Sequence, residues 1–241
     1  MVEASKPMSM SPPPPSAHLH KGLIINAWAL YRKHLGLWLT ASVICCGLQV
    51  GIWFLLLRVV KSPEHDSPLK LYLIMILFWV LVAGVSRSFQ TGLTRLALDQ
   101  LSGEPVRLKR LLAPAAGFWI TLATSVVAAL GVQLGFTMYT IPGLILEGMF
   151  LLVCPILADR KLSVTETIRL SIQTLQPELL QATLFGMCLS LLSGAAGAVM
   201  GTVAWPLALA GVIFFYPLVP QVQALLYRSY FAYSSFEYRV Q

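Results

Sequence analysis

Charge is scarce in this sequence: Asp, Glu, Lys and Arg make up 11% of its 241 residues, against roughly 25% in a soluble globular domain. That deficit excludes an ordinary water-soluble globule. Catalytic signatures are missing as well. No H-E-x-x-H, G-x-S-x-G, G-x-G-x-x-G or P-loop occurs, so the expected reading is non-enzymatic, with no cofactor. The four cysteines, Cys45, Cys46, Cys154 and Cys188, form no C-x-x-C and no His/Cys spacing suited to zinc. Each falls in an apolar stretch and reads as a small apolar residue. His18 and His20 make a single H-x-H, too little for a metal site.

What the chain does have is apolar length. Apolar residues make up 57% of it, and at about 20 residues per bilayer-spanning helix this furnishes roughly six spans. The stretches run from Leu37 to Leu57, Leu71 to Val85 with an extension toward Leu98, Gly117 to Met138, Ile141 to Ala158, Leu179 to Met200, and Val203 to Tyr227. They do not alternate as barrel strands would, and backbone polar groups in hydrocarbon must be satisfied within the segment. The expected class is therefore an all-α integral membrane protein of about six transmembrane helices, occupying residues 18–232. Residues 1–17 are a polar, Pro-rich tract expected to be disordered, and residues 233–241 read as a C-terminal tail. No basic start, short apolar core and cleavage site precedes Gly36, so the first span is expected to act as an uncleaved anchor.

The basic residues give an orientation. With the N-terminus inside, Arg58, Lys61 and Lys70 face outward, and the remainder of the 17 Lys and Arg fall on the inner side. The positive-inside rule thus places both termini in the cytoplasm. The net charge of +7 is juxtamembrane charge attracted to anionic head groups. No aromatic-interleaved basic patch accompanies it, so nucleic acid is not an expected partner.

Each pair of spans is preceded by an amphipathic segment, which gives a plan of three membrane hairpins. His18 to Leu35 places Ile24, Trp28, Tyr31 and Leu35 at helical spacing. The stretch after the second span breaks at Gly103-Glu104-Pro105 and resumes through Val106, Leu108, Leu111 and Leu112. Ser163-Val-Thr-Glu166 is a capping box, followed by an apolar stripe of Val164, Ile168, Ile172 and Leu175 that is expected to form a cytoplasmic interaction face. Internal repetition shows as Gly36-Leu-Trp-Leu-Thr40 beside Gly117-Phe-Trp-Ile-Thr121, and as Gly47-Leu-Gln-Val-Gly51 beside Gly131-Val-Gln-Leu-Gly135.

Candidate sites follow from what is costly in lipid. Glycines four apart allow close helix approach, and Gly47/Gly51, Gly131/Gly135 and Gly197/Gly201 are expected packing pairs. Glu147 is the acidic residue inside a predicted span; it either reaches the outer interface or serves a proton or substrate. With Gln49 and Gln133 it makes a candidate intramembrane polar site. Arg87, at the inner end of the second span, is expected to snorkel to head groups. Pro217 and Pro220 kink the sixth span, and paired broken helices mark binding sites in transporters.

Ile141-Pro-Gly-Leu, Cys154-Pro155-Ile-Leu-Ala-Asp159, and Ser163-Val-Thr-Glu-Thr-Ile-Arg-Leu-Ser171 together form a pattern. It resembles the membrane domain of bacterial glycerophosphodiester phosphodiesterases and its stand-alone six-span relatives. Leu225-Leu-Tyr-Arg-Ser-Tyr230 resembles that family's closing motif, departing from it at Arg228-Ser229. The resemblance implies a six-span fold in the plasma (inner) membrane, without the soluble phosphodiesterase domain and its activity. The leading functional expectation is an accessory protein acting through lipids and a partner membrane protein or second copy; the alternative is a small transporter or flippase-like carrier of an amphiphile.

Overall fold

The long apolar runs fold as helices because only a helix satisfies its own backbone without water. The computed structural model describes residues 22–60, 68–112, 116–189 and 213–237. Its elements are α1 (Gly22–Lys33), α2 (Leu35–Val60), α3 (Pro68–Leu101), α4 (Phe118–Met138), α5 (Thr140–Met149), α6 (Val153–Asp159), α7 (Val164–Leu175), α8 (179–189) and α9 (Leu218–Glu237), with 3-10 turns at Leu108–Leu112 and Gln176–Glu178. Among the described residues there is no strand. Among the described residues four segments are long and apolar enough to cross a membrane: Leu35–Ile52, Ile76–Leu101, Phe118–Met138 and, across α5 and α6, Thr140–Asp159. Residues 190–212, which hold parts of the last two expected spans together with Gly197 and Gly201, lie outside the described residues, as do residues 1–17. Helix α9 continues to Glu237, into the segment read as a tail.

Helix α3 is the spine, packed against α2, α4, α6 and α9. Its 34 residues reach about 51 Å, well beyond the ~30 Å of hydrocarbon. The extension toward Leu98 is thus part of one continuous helix. Gly103, at φ 73°, ends it: the Glu104 N–H donates to the Asp99 carbonyl (2.9 Å) and the Gly103 N–H to that of Gln100 (3.2 Å), which is a Schellman cap. Hydroxyls on this apolar helix bond back one turn, Thr91 to the Arg87 carbonyl and Thr94 to that of Gln90.

Helices α1 and α2 are pinned to α3 by one amide. Gln100 accepts from the Trp38 indole (3.1 Å) and donates to the Leu30 carbonyl (2.8 Å), a group near the end of α1 that needs a donor from outside its helix. Trp28 and Tyr31 of α1 stack against Phe214, with ring centroids 5.8 and 5.7 Å away. The α4–α5 hairpin closes where Gly135 meets the Gly143 backbone, and Gly131 faces the Phe150 ring. Gly47 and Gly51 have no atom of the described residues within 4 Å of where a Cβ would stand; among those residues the same spacing thus packs the α4–α5 pair and not α2.

The capping box forms at α7. The Ser163 hydroxyl and backbone N–H both donate to the Glu166 carboxylate (2.6 and 3.0 Å). These bonds hold the Glu166 carboxyl below its ordinary value of 4.5. A lowered folded-state value contributes stability above the ordinary value, and that contribution is lost as pH falls through the lowered one. Ser163→Ala is expected to cost about 1 kcal/mol at neutral pH, and the gap from wild type to narrow toward pH 3. Thermal melts followed by circular dichroism at both pH values check this; a gap independent of pH contradicts it.

Candidate functional site

Two helices are interrupted at related points. Pro155 has no N–H for the Leu151 carbonyl and its ring crowds that group; accordingly α5 stops at Met149, residues 150–152 form a turn, and α6 starts at Val153. Pro220 stands in the same relation to Tyr216, and there the helical residues 213–215 give way to a turn at Tyr216 and Pro217 before α9. The first turn opens on Phe150, five residues before Pro155, and Phe215, five before Pro220, is the last helical residue ahead of the second. The freed backbone groups find side chains: Ser171 of α7 donates to the Met149 carbonyl at 2.6 Å. The second turn is held from α2, where Gln49 donates to the Tyr216 hydroxyl at 3.1 Å.

Beside the first turn and α9 lies a cavity of about 120 Å³ lined by Arg87, Gln90, Glu147, Phe150, Leu151, Gly186, Leu189, Val219 and Gln223. One turn of α3 supplies Arg87 and Gln90, α5 supplies Glu147, and α9 supplies Gln223. Arg87 Nη2 stands 3.6 Å from Glu147 Oε1, with side chains 18% and 26% exposed. That separation exceeds the 2.7–2.9 Å of a charge-assisted hydrogen bond, so the pair is coulombic rather than a forked contact. Both residues lie inside segments long enough to span a membrane. Gln223 is 6% exposed, and its side-chain carbonyl has no hydrogen-bond partner among the described residues. One wall depends on close approach: Gly186 of α8 packs on the Gly148 backbone, and Gly148 on that of Thr183.

A second polar cluster forms at the end of the bundle where α3 and α6 terminate, about 12 Å along α3 from Arg87. Arg95 donates to the Ala158 carbonyl (2.5 Å) and pairs with Asp99 (3.4 Å). Arg110 bridges Asp99 (3.0 Å) and Glu104 (2.6 Å), and this guanidinium holds the Glu104 carboxyl below its ordinary range. Arg160 donates to the Tyr227 hydroxyl (3.0 Å), which donates to Asp159 (2.7 Å), while the guanidinium lies 4.6 Å from the centre of the Phe231 ring. Tyr230 donates to Glu178 (2.7 Å); burial first, and that carboxylate second, push its phenol up. These contacts tie α3, α6 and α9 together. Tyr227→Phe removes the central link and is expected to cost about 1–2 kcal/mol, read as a lowered melting temperature; an unchanged melt contradicts the latch.

The structure brings some expected residues together and separates others. Glu147 is at the pocket, whereas Gln49 anchors Tyr216 and Gln133 on α4 is not among the lining residues. Arg87 does not stand at a helix end. Because α3 continues for fourteen residues past it, Arg87 sits inside the helix and turns to Glu147. The stripe of α7 also turns inward: Leu175 is fully buried, Ile168 and Ile172 pack on the cluster of Ala128, Val132, Phe150 and Val153, and Val164 is half-buried. Gln90 and Gln223 escaped the sequence reading, although amides in apolar helices beside Arg87 and Pro220 were a signal of the same kind as Glu147. Cys45, Cys46 and Cys154 are buried and Cys188 exposed, all as free thiols.

These features define an all-helical protein with several helices suited to a membrane and a charged pocket between two interrupted ones. No protein-family model, curated protein or solved structure matches the chain.

Proposed function

We propose that this chain is a non-enzymatic carrier in the bacterial inner membrane, with six spans in three hairpins, both termini cytoplasmic, and kinship to the six-span proteins it resembles. The observation that carries this reading is the Arg87–Glu147 pair on a pocket between two proline-broken helices. Ionisable groups inside spans are expensive and concentrate on substrate paths, and broken helices place backbone polar groups where a substrate can use them. Membrane lipids surround the spans. The paired cluster at the α3 and α6 ends closes the cytoplasmic side of the pathway. The accessory alternative has less support, because the α7 stripe it needs as a contact face packs within the chain.

Site accessibility tests the carrier. Gln223→Cys, in a background with Cys45, Cys46, Cys154 and Cys188 replaced by Ser, is reconstituted in liposomes and treated with a membrane-impermeant maleimide from each side in turn. Labelling from both sides is expected. A cysteine reached from neither side, or from one alone, contradicts alternating access.

A further inference from the structure

We infer that the pocket binds a compact zwitterion, its acidic group on Arg87 and Gln90 and its ammonium on Glu147 and the Gln223 side-chain carbonyl. This deepens the carrier reading and rests on it for the ligand's passage, though not for its binding.

Size comes first. A cavity of about 150 Å³ holds one benzene, so 120 Å³ suits a ligand of about six heavy atoms. Charge comes second. The wall carries one cation and one carboxylate 3.6 Å apart, and among the described residues no other ionisable side chain lines it. A lone anion would compete with Glu147 for Arg87 and leave a net charge in a low-dielectric site; a lone cation would do the reverse. Buried uncompensated charge is costly. A ligand whose opposite charges are separated by one or two carbons meets both wall charges at once and keeps the site neutral. The third observation is independent of the ion pair: the Gln223 carbonyl is buried without a partner among the described residues, a state that proteins avoid, and an ammonium supplies the missing donor. Phe150, Leu151, Leu189 and Val219 complete a wall suited to hydrogen or a methyl group on the central carbon.

A free amino acid and the headgroup of a phosphatidylethanolamine share this chemistry, and the test separates them. Binding of radiolabelled glycine and alanine to the purified full-length protein in lipid particles is measured with acetate, methylamine, and vesicles of phosphatidylethanolamine or phosphatidylglycerol as competitors. Saturable binding of glycine or alanine is expected, with acetate and methylamine at least tenfold weaker as competitors. If the lipid is the source, phosphatidylethanolamine competes and phosphatidylglycerol does not; if the free solute is, neither does. Gln223→Leu, which removes a buried acceptor and should fold, is expected to weaken binding about tenfold. Acetate or methylamine binding as well as glycine, an unaffected Gln223→Leu, or no binding by glycine, alanine or phosphatidylethanolamine overturns the inference. Flux assays on the same samples keep the two readings apart: binding without flux removes the carrier and leaves the zwitterion site, and flux of another solute without zwitterion binding does the opposite.

Discussion

Glu147→Gln is expected to destabilise the folded protein by about 1–3 kcal/mol, and Arg87→Gln by a similar amount, because each leaves the opposite charge largely out of water without its neighbour. The double variant is expected to recover most of that loss, since two neutral amides leave no lone charge. The coupling from the double-mutant cycle should therefore be about 1–3 kcal/mol, well outside the error of independent sites. Denaturation of the four proteins in the same lipid particles measures it. The two side chains are 18% and 26% exposed, which keeps the expectation below the 3–5 kcal/mol of a fully buried pair. Additive losses would mean that the pair is an exposed contact and that the pocket is solvated like a surface. The double variant also separates stability from function: it folds, yet has no charges with which to hold a substrate.

A methyl group at Gly148 should be nearly as damaging. Its Cβ would stand 2.6 Å from Thr183 Cα and 2.7 Å from Thr183 N, and backbone cannot move aside as the end of a side chain can. Gly148→Ala must push α5 from α8, at a cost of about 1–3 kcal/mol by overpacking, and must shift the wall that Gly186 provides. Gly47→Ala is the matched control, because among the described residues nothing lies within 4 Å of its Cβ; it should leave stability unchanged or raise it by up to about 1 kcal/mol. Thermal unfolding of the two variants side by side decides the matter. Equal effects would show that the α5–α8 crossing is looser than its geometry states.

The helices were legible in the sequence because a bilayer imposes a length and an apolar composition that no local choice can evade. Their limits were less so. The apolar run of α3 is interrupted by Arg87 and Arg95, and only their partners on other helices, Glu147 and the Ala158 carbonyl, explain how the helix runs on to Leu101. Pro220 was visible as a break, but that the turn before Pro155 and the first turns of α9 border one cavity is a fact of packing. Glu147 stood out because a carboxylate in an apolar run has a cost whichever way it faces. Its partner did not, because an arginine near the expected end of a span satisfies the snorkelling rule equally well on paper. The α7 stripe had the right period, yet period fixes a face and not what covers it. Ser171, one residue from Ile172, reaches a backbone carbonyl that exists as a free acceptor only because α5 breaks. Tyr227 and Asp159, from two separate parts of the resemblance pattern, meet at 2.7 Å, a contact across 68 residues that no local reading reaches.

The most direct test of the substrate pocket is a high-resolution structure of the protein in native-lipid particles, examined between Arg87, Gln90, Glu147 and Gln223. The expected result is an enclosed polar cavity inside the bundle, with density bridging the guanidinium and the carboxylate. A closed, dry apolar contact at Phe150 and Val219, with Arg87 and Glu147 turned to lipid head groups, would contradict it.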